Sequence, residues 1–81
     1  MKKEMVIQNT AGLHAALAAK LVQVASEFRA EVRLEYADKV VDAKSVLSLI
    51  SLAVPSGENV VVKAEGDEAE EAILEIEKIL E

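Results

Sequence analysis

The chain's single histidine, His14, is the side chain best suited to chemistry. It follows a polar stretch containing Gly12 and directly precedes a long run of helix-forming residues, so we expect it at the start of a helix. The first N–H groups of a helix lack intrahelical partners and lie at the positive end of the helix dipole, where they stabilise an anion. Imidazole can also act as a base or nucleophile near neutral pH. Two interpretations remain open: His14 carries or binds an anionic group, or it only caps the helix.

Composition restricts the classes of function open to this chain. Its 81 residues suffice for one compact domain, 1–81, with a single small core. The net charge of −6 disfavours nucleic acids and anionic membranes as partners, and the aromatic content of 2% disfavours base stacking. Without cysteine there is no disulfide, thiolate nucleophile or cysteine metal site, and we predict neither a metal nor a cofactor. No signal segment or membrane span is evident, so we expect a soluble, cytoplasmic protein.

Hydrophobic periodicity predicts elements in the order β-α-β-β-α-β-α. The strands are expected at Glu4–Gln8, Glu31–Tyr36, Lys39–Asp42 and Asn59–Glu65, and the helices at Ala15–Phe28, Ser45–Ala53 and from Asp67 to Leu80. Alternation within the strands predicts one sheet face covered by helices and one facing solvent. The chain should therefore be an α+β protein, an open-faced two-layer sandwich on a four-stranded, mostly antiparallel sheet.

Local signals add detail at three points. Ala37-Asp38 implies a tight hairpin, and Asp67 with Glu70 resembles a capping pair for the last helix. The acidic residues of that helix are expected to be a solvated face, with a metal or basic-partner site as the alternative. Apolar residues in Ser45–Ala53 cover more than one helix face, which predicts either an exposed partner surface or additional core.

Three segments carry a family resemblance. Gly12-Leu13-His14-Ala15, Asp42-Ala43-Lys44-Ser45-Val46-Leu47 and Ile50-Ser51-Leu52 resemble the HPr family, the histidine-containing phosphocarriers of the bacterial phosphoenolpyruvate-dependent sugar phosphotransferase system. The resemblance covers essentially the whole chain and implies a monomer with three helices on one side of an antiparallel sheet. It also implies that His14 accepts a phosphoryl group from Enzyme I and passes it to sugar-specific IIA proteins. Such a protein is a covalent carrier and has no turnover reaction of its own.

The resemblance further implies a regulatory site and a docking surface. Ser45 matches a serine that HPr kinase phosphorylates in Gram-positive members; the alternative is a serine that only caps its helix. The partner-binding residues implied by the family are Leu17, Lys20, Val46, Leu47 and Ile50.

The chain departs from the family motif directly after the histidine. Where the family reads His-Ala-Arg-Pro-Ala, this chain has Ala16 and Leu17 in place of the arginine and the proline. Because a charge-assisted hydrogen bond contributes ~1.5–3 kcal/mol, we expect phosphotransfer to be impaired by about one to two orders of magnitude. The alternative is a phosphorylation-silent scaffold or binding domain, either redesigned or a natural paralogue.

Overall fold

A computed structural model describes the chain from Met1 to Glu81. Its elements are β1 Lys2–Val6, α1 Ala15–Ala25, β2 Glu31–Tyr36, β3 Lys39–Asp42, α2 Val46–Ser51, β4 Asn59–Glu65 and α3 Ala69–Leu80. Their order and types are those predicted, and β2, β3 and β4 have the predicted bounds. None of the helices combines the length and the apolar character needed to cross a membrane.

The four strands form one sheet in the order β1-β4-β2-β3, and every neighbouring pair is antiparallel. Alternation sets the two faces of the sheet, as predicted. On the central strands the buried side chains pair directly, with Val32 opposite Ala64 and Leu34 opposite Val62. Charged residues such as Arg33 lie on the open face. The α+β fold with three helices on one face of an open antiparallel sheet is therefore confirmed.

The core is aliphatic, as the low aromatic content requires. It is one cluster of 20 buried hydrophobic residues, and no polar or charged residue is buried. Leu21 of α1, Leu49 of α2 and Ile76 of α3 are fully buried in it, so each helix contributes to the same core. Burial of aliphatic area, about 25 cal/mol per Å², is thus the main stabilising term and fixes the helices on the sheet.

Several element ends differ from the prediction: β1 begins at Lys2 rather than Glu4, and α2 is Val46–Ser51 rather than Ser45–Ala53. At two further ends the backbone groups bond elsewhere. The first strand ends at Val6 rather than Gln8, since the Gln8 N–H donates to the Leu80 carbonyl, 2.9 Å away, at the end of α3. The first helix ends at Ala25 rather than Phe28. Beyond it the Phe28 N–H donates to the Ala25 carbonyl, three residues back, a tighter turn than the α-helix.

The predicted capping pair of the last helix is wrong. Glu68, not Asp67, is the N-cap residue of α3, and no side chain bonds the N–H groups there. The Glu68 carboxylate is held instead by a distant segment, because its Oε1 accepts the Arg29 N–H at 2.7 Å. Gly66 permits this approach, since a Cβ on it would lie 2.8 Å from the Arg29 carbonyl oxygen.

The predicted hairpin is confirmed in detail. Ala37 has φ of 49° and Asp38 has φ of 69°, the positive values at both central residues that define a type I′ turn. This turn matches the right-handed twist of the flanking strands β2 and β3, so the hairpin forms although neither residue is glycine.

Candidate functional site

His14 is the N-cap residue of α1. Its backbone is extended, with φ of −90° and ψ of 178°, and its carbonyl accepts the Ala18 N–H at 2.9 Å. The ring Nδ1 accepts the Ala16 N–H at 3.2 Å, so the imidazole satisfies one of the free donors at the helix start. The ring is half-buried and faces these amides, as the sequence predicts.

The loop before His14 is fixed to the segment that follows α2. Gly12 has φ of 70°, and a Cβ on it would lie 2.5 Å from the Val54 carbonyl oxygen. That carbonyl accepts the Leu13 N–H at 2.9 Å, and the Leu13 side chain is buried in the core. Glycine is therefore required for the close approach that positions the next residue, His14.

A shallow depression surrounds the ring. Its lining residues are Asn9, His14, Ala16, Leu17, Lys20 and Ile79. Lys20 is the only residue in this lining that carries a full charge, and there is neither a carboxylate nor a hydroxyl among the lining residues. A triad of the hydrolase type is therefore not assembled at His14. No group of histidine, aspartate and glutamate residues in the molecule is arranged to hold a metal ion.

The hydrogen bond to Nδ1 determines the chemistry available to the ring. Because Nδ1 accepts the Ala16 N–H, it carries a lone pair, and the proton of the neutral ring lies on Nε2. A lone pair beside unpaired helix N–H groups suits a nucleophile that becomes attached to an anionic group. The site can therefore hold a negative group on or next to the imidazole.

Comparison with known proteins identifies the family. The family model described as PTS HPr component phosphorylation site matches residues 1–81. The chain belongs to the HPr family. Phosphocarrier protein HPr from Bacillus anthracis str. Ames superposes with a TM-score of 0.96 at 33% identity, covering 100% of this chain and 96% of that one. HPr-C-His from Thermoanaerobacter tengcongensis gives 0.94 at 40% identity, covering 99% and 90%.

A regulatory member of the family is also similar. The Bacillus subtilis catabolite repression protein Crh superposes with a TM-score of 0.80 at 38% identity, and the match covers 91% of this chain and 85% of that one. The crystal structure of Crh is an intertwined, swapped dimer. The HPr fold is thus shared by carriers and by a protein of catabolite repression.

The two departures from the HPr motif lie in different environments. Ala16 is exposed beside the ring, so the position of the family arginine is open to solvent. Leu17, by contrast, is only 6% exposed and belongs to the core cluster. Leu17 therefore adds almost no accessible area to the implied docking surface, and its role as a partner-binding residue stays a prediction.

The rest of the implied docking surface is accessible. Leu47 is 81% exposed and Ile50 is 37% exposed, while Val46 is half-buried against the core. The predicted apolar patch on α2 is thus present at the surface, and α2 packs beside α1, whose residue Lys20 is also exposed. Whether a partner covers this patch stays a prediction.

Ser45 is the N-cap residue of α2. Its Oγ accepts the Ser48 N–H at 3.4 Å and donates to the Ser48 Oγ at 3.0 Å. Ser45 therefore caps α2, which both interpretations of this residue allow, and its phosphorylation stays a prediction. The hydroxyl is half-buried, and because modification would replace its hydrogen, the bond that it donates to the Ser48 Oγ would be lost.

Two features of the site are not predictable from local sequence. Ile79, near the end of α3, lines the depression beside His14, although it is distant in sequence. The Val54 carbonyl that fixes Leu13 follows α2. Both contacts arise from the way the helices pack on the sheet, for which a single sequence carries no signal.

Proposed function

We propose that His14 accepts a phosphoryl group from Enzyme I and passes it to IIA proteins of the phosphotransferase system in the cytoplasm. The observation that carries this proposal is the position of the imidazole Nδ1, 3.2 Å from the Ala16 N at the start of α1. The family membership supports the general phosphocarrier role. Loss of the arginine at position 16 makes us expect slower transfer than in members that have it.

The proposed transfer uses only the ring and the helix start. The Nδ1 lone pair of His14 attacks phosphorus as the bond between phosphorus and the donor protein breaks, and the leaving atom of the donor keeps the electron pair. The proton on Nε2 stays in place during this step. The Ala16 N–H, which bonds Nδ1 in the free protein, is then available to a phosphoryl oxygen. Transfer to the next protein reverses these bonds.

The first experiment tests whether the chain carries a phosphoryl group. The purified protein is mixed with a bacterial Enzyme I and phosphoenolpyruvate, and an acid-labile adduct is sought by intact-mass spectrometry. We expect a gain of one phosphoryl group that is absent from His14→Ala. Failure of the wild-type protein to form any adduct would leave the phosphorylation-silent scaffold as the function.

A second experiment tests the account of impairment. Ala16→Arg restores a guanidinium beside the ring, and because Ala16 is exposed this change requires no rearrangement of the core. A gain of ~1.5–3 kcal/mol predicts a rate of adduct formation about ten- to a hundredfold higher. Gln23→Arg, an exposed position about two turns further along α1, is the matched control for added charge. Equal rates in the two variants would refute the account.

A second candidate function is regulatory, because the chain also resembles Crh at 38% identity. In this alternative HPr kinase phosphorylates Ser45 and the product acts as a binding domain. Incubation with a Gram-positive HPr kinase and ATP, with Ser45→Ala as control, tests it. The Ser45→Thr variant retains a hydroxyl cap and should also be labelled. No labelling of the wild-type chain would exclude this regulation by that kinase.

A further inference from the structure

Lys20 is the one cation beside the ring of His14. It lines the same depression as His14 and Ala16, and it is exposed. Six of the other basic side chains are engaged: Lys3, Arg29, Arg33, Lys63 and Lys78 form ion pairs, and Lys44 donates to the Ala30 carbonyl. Lys2 and Lys39 are not engaged, but neither lines the depression. Lys20 takes part in none of these ion pairs or hydrogen bonds. Its ammonium is therefore free to meet an incoming anion.

Helix geometry directs this ammonium toward the start of α1. Residues four apart lie on one face of a helix, with roughly 5–6 Å between their Cβ atoms, so Lys20 is the neighbour of Ala16. Side chains of a helix also lean toward its N-terminus and cover the preceding turn. The long lysine side chain can thus reach past the small, exposed side chain of Ala16 toward the ring. An arginine or another large residue at position 16 would occupy that space.

The carboxylates of the neighbouring helix do not neutralise Lys20. On α3, the only other helix that contributes to the depression, the lining residue is Ile79. Glu77 is paired with Lys3, and the Glu81 Oε2 accepts the Val6 N–H at 3.0 Å. The short helix α2 carries no charged side chain. Lys20 is thus the only lysine or arginine that lines the depression, and no carboxylate lines it, although the whole chain is acidic.

We infer that Lys20 binds the phosphoryl group on His14 and replaces part of the interaction that the family arginine supplies. This inference rests on the proposed phosphocarrier function. A lysine ammonium is a single mobile charge and lacks the planar, bidentate geometry of a guanidinium, so the replacement is incomplete. It assigns to Lys20 a role toward the phosphoryl group itself, separate from any contact with a partner protein.

The test uses a phosphoryl donor that is not a protein. Phosphoramidate transfers its phosphoryl group to imidazole and releases ammonia, so docking of Enzyme I plays no part. The phosphorylated wild-type protein, Lys20→Met and the matched control Lys39→Met are titrated by phosphorus NMR. Lys39 is exposed on β3, outside the depression, and its substitution removes the same charge.

We expect Lys20→Met to raise the second pKa of the phosphoryl group by about half a unit, the size of one exposed charge pair. Lys39→Met should leave it unchanged, and Lys20→Arg, which keeps the charge, should retain most of the effect. A phosphoryl pKa that is the same in Lys20→Met and Lys39→Met would overturn the role of Lys20 while leaving the carrier function intact. No adduct in the wild-type protein, with phosphoramidate or with Enzyme I, would overturn both.

Discussion

At the scale of single residues, His14 combines two roles that are usually separate. The Nδ1 that caps α1 through the Ala16 N–H is also the nitrogen that we propose as the phosphoryl acceptor. A cap made by an asparagine would satisfy the helix, but its amide has no nucleophilic atom that could accept a phosphoryl group. The proposed phosphoryl transfer therefore depends on the imidazole ring, whereas the stability of α1 depends only on the acceptor atom at its cap. Substitutions of His14 can separate the two.

The two roles predict opposite outcomes for two substitutions of His14. His14→Ala removes the cap and should lower the free energy of unfolding by about 0.5–2 kcal/mol. His14→Asn supplies a preferred capping oxygen on the same extended backbone, so its stability should equal or exceed that of the wild type. Urea unfolding followed by circular dichroism measures both, and neither variant should form a phosphoryl adduct. If His14→Asn lost as much stability as His14→Ala, the loss could not be attributed to the missing capping hydrogen bond.

The hydroxyl of Tyr36 predicts a loss of stability at alkaline pH. Partial burial, and then the hydrogen bond and the negative charge of Glu58, raise the pKa of Tyr36 above its ordinary value of 10.0. The Tyr36 hydroxyl donates to the Glu58 Oε1 at 3.2 Å. The folded protein therefore holds this proton at pH values where the unfolded chain releases it. The stabilisation is complete below pH 10 and is lost as the pH rises through the raised pKa of the folded state.

Two measurements test this prediction. Because the chain has one tyrosine and no tryptophan, its phenolate absorbance reports Tyr36 alone, and the midpoint should lie above 10.0. Glu58→Gln should lower this midpoint. The difference in free energy of unfolding between the wild type and Tyr36→Phe should decrease across the same alkaline range. Both proteins contain the same lysines, so this difference removes the effect of lysine titration. A midpoint at or below that of a free tyrosine would contradict the prediction.

At the scale of elements, the end of α2 has a backbone conformation that its residue does not favour. Ala53 follows the C-cap residue Leu52 and has φ of 52°, in the left-handed region. Its N–H donates to the Ile50 carbonyl at 3.0 Å, so it closes the helix as glycine commonly does. For a residue with a Cβ, the left-handed region costs about 1–2 kcal/mol. This strain lies directly before Val54, whose carbonyl accepts the Leu13 N–H.

The same substitution at two exposed alanines should therefore have opposite effects. Ala53→Gly relieves the left-handed strain and should raise the free energy of unfolding by about 0.5–1 kcal/mol, after the greater entropy of glycine in the unfolded chain is subtracted. Ala19→Gly, in the interior of α1, should lower it by about 1 kcal/mol. Chemical denaturation of both variants measures the difference. A loss of stability in Ala53→Gly would contradict this account of the helix end.

The elements also show how much of the fold can be predicted from the sequence alone. Strands β2 and β4 were predictable to the residue because alternation such as that of Val32 and Leu34 is a local signal, and β3 because it follows the two-residue turn Ala37-Asp38. The cap of α3 was not predictable, since Glu68 bonds Arg29 across 39 positions of sequence. For the site, His14 at a helix start followed from local sequence, whereas the contact with Ile79 followed only from the fold.

At the scale of the whole molecule, the sheet edges determine how the chain meets copies of itself. The outer N–H of Val6 on the edge strand β1 is bonded to the Glu81 carboxylate, and the Gln8 N–H beyond it bonds the Leu80 carbonyl. The other edge, β3, is short and carries Lys39 and Asp42 at its ends. The occupied donor at the end of β1 and the short length and charge of β3 disfavour pairing between sheets of two molecules.

We therefore expect a monomer in solution, in contrast to the swapped dimer of Crh. The net charge of −6 adds repulsion between copies, which salt screens. Sedimentation velocity at low and at high ionic strength should give one species of monomer mass over a wide concentration range. Glu81→Ala frees the Val6 N–H and is the sensitised variant, in which any tendency toward edge pairing should appear first. A wild-type dimer that persists at low salt would show that the occupied edge of β1 does not prevent exchange or pairing, because charge repulsion is strongest under that condition.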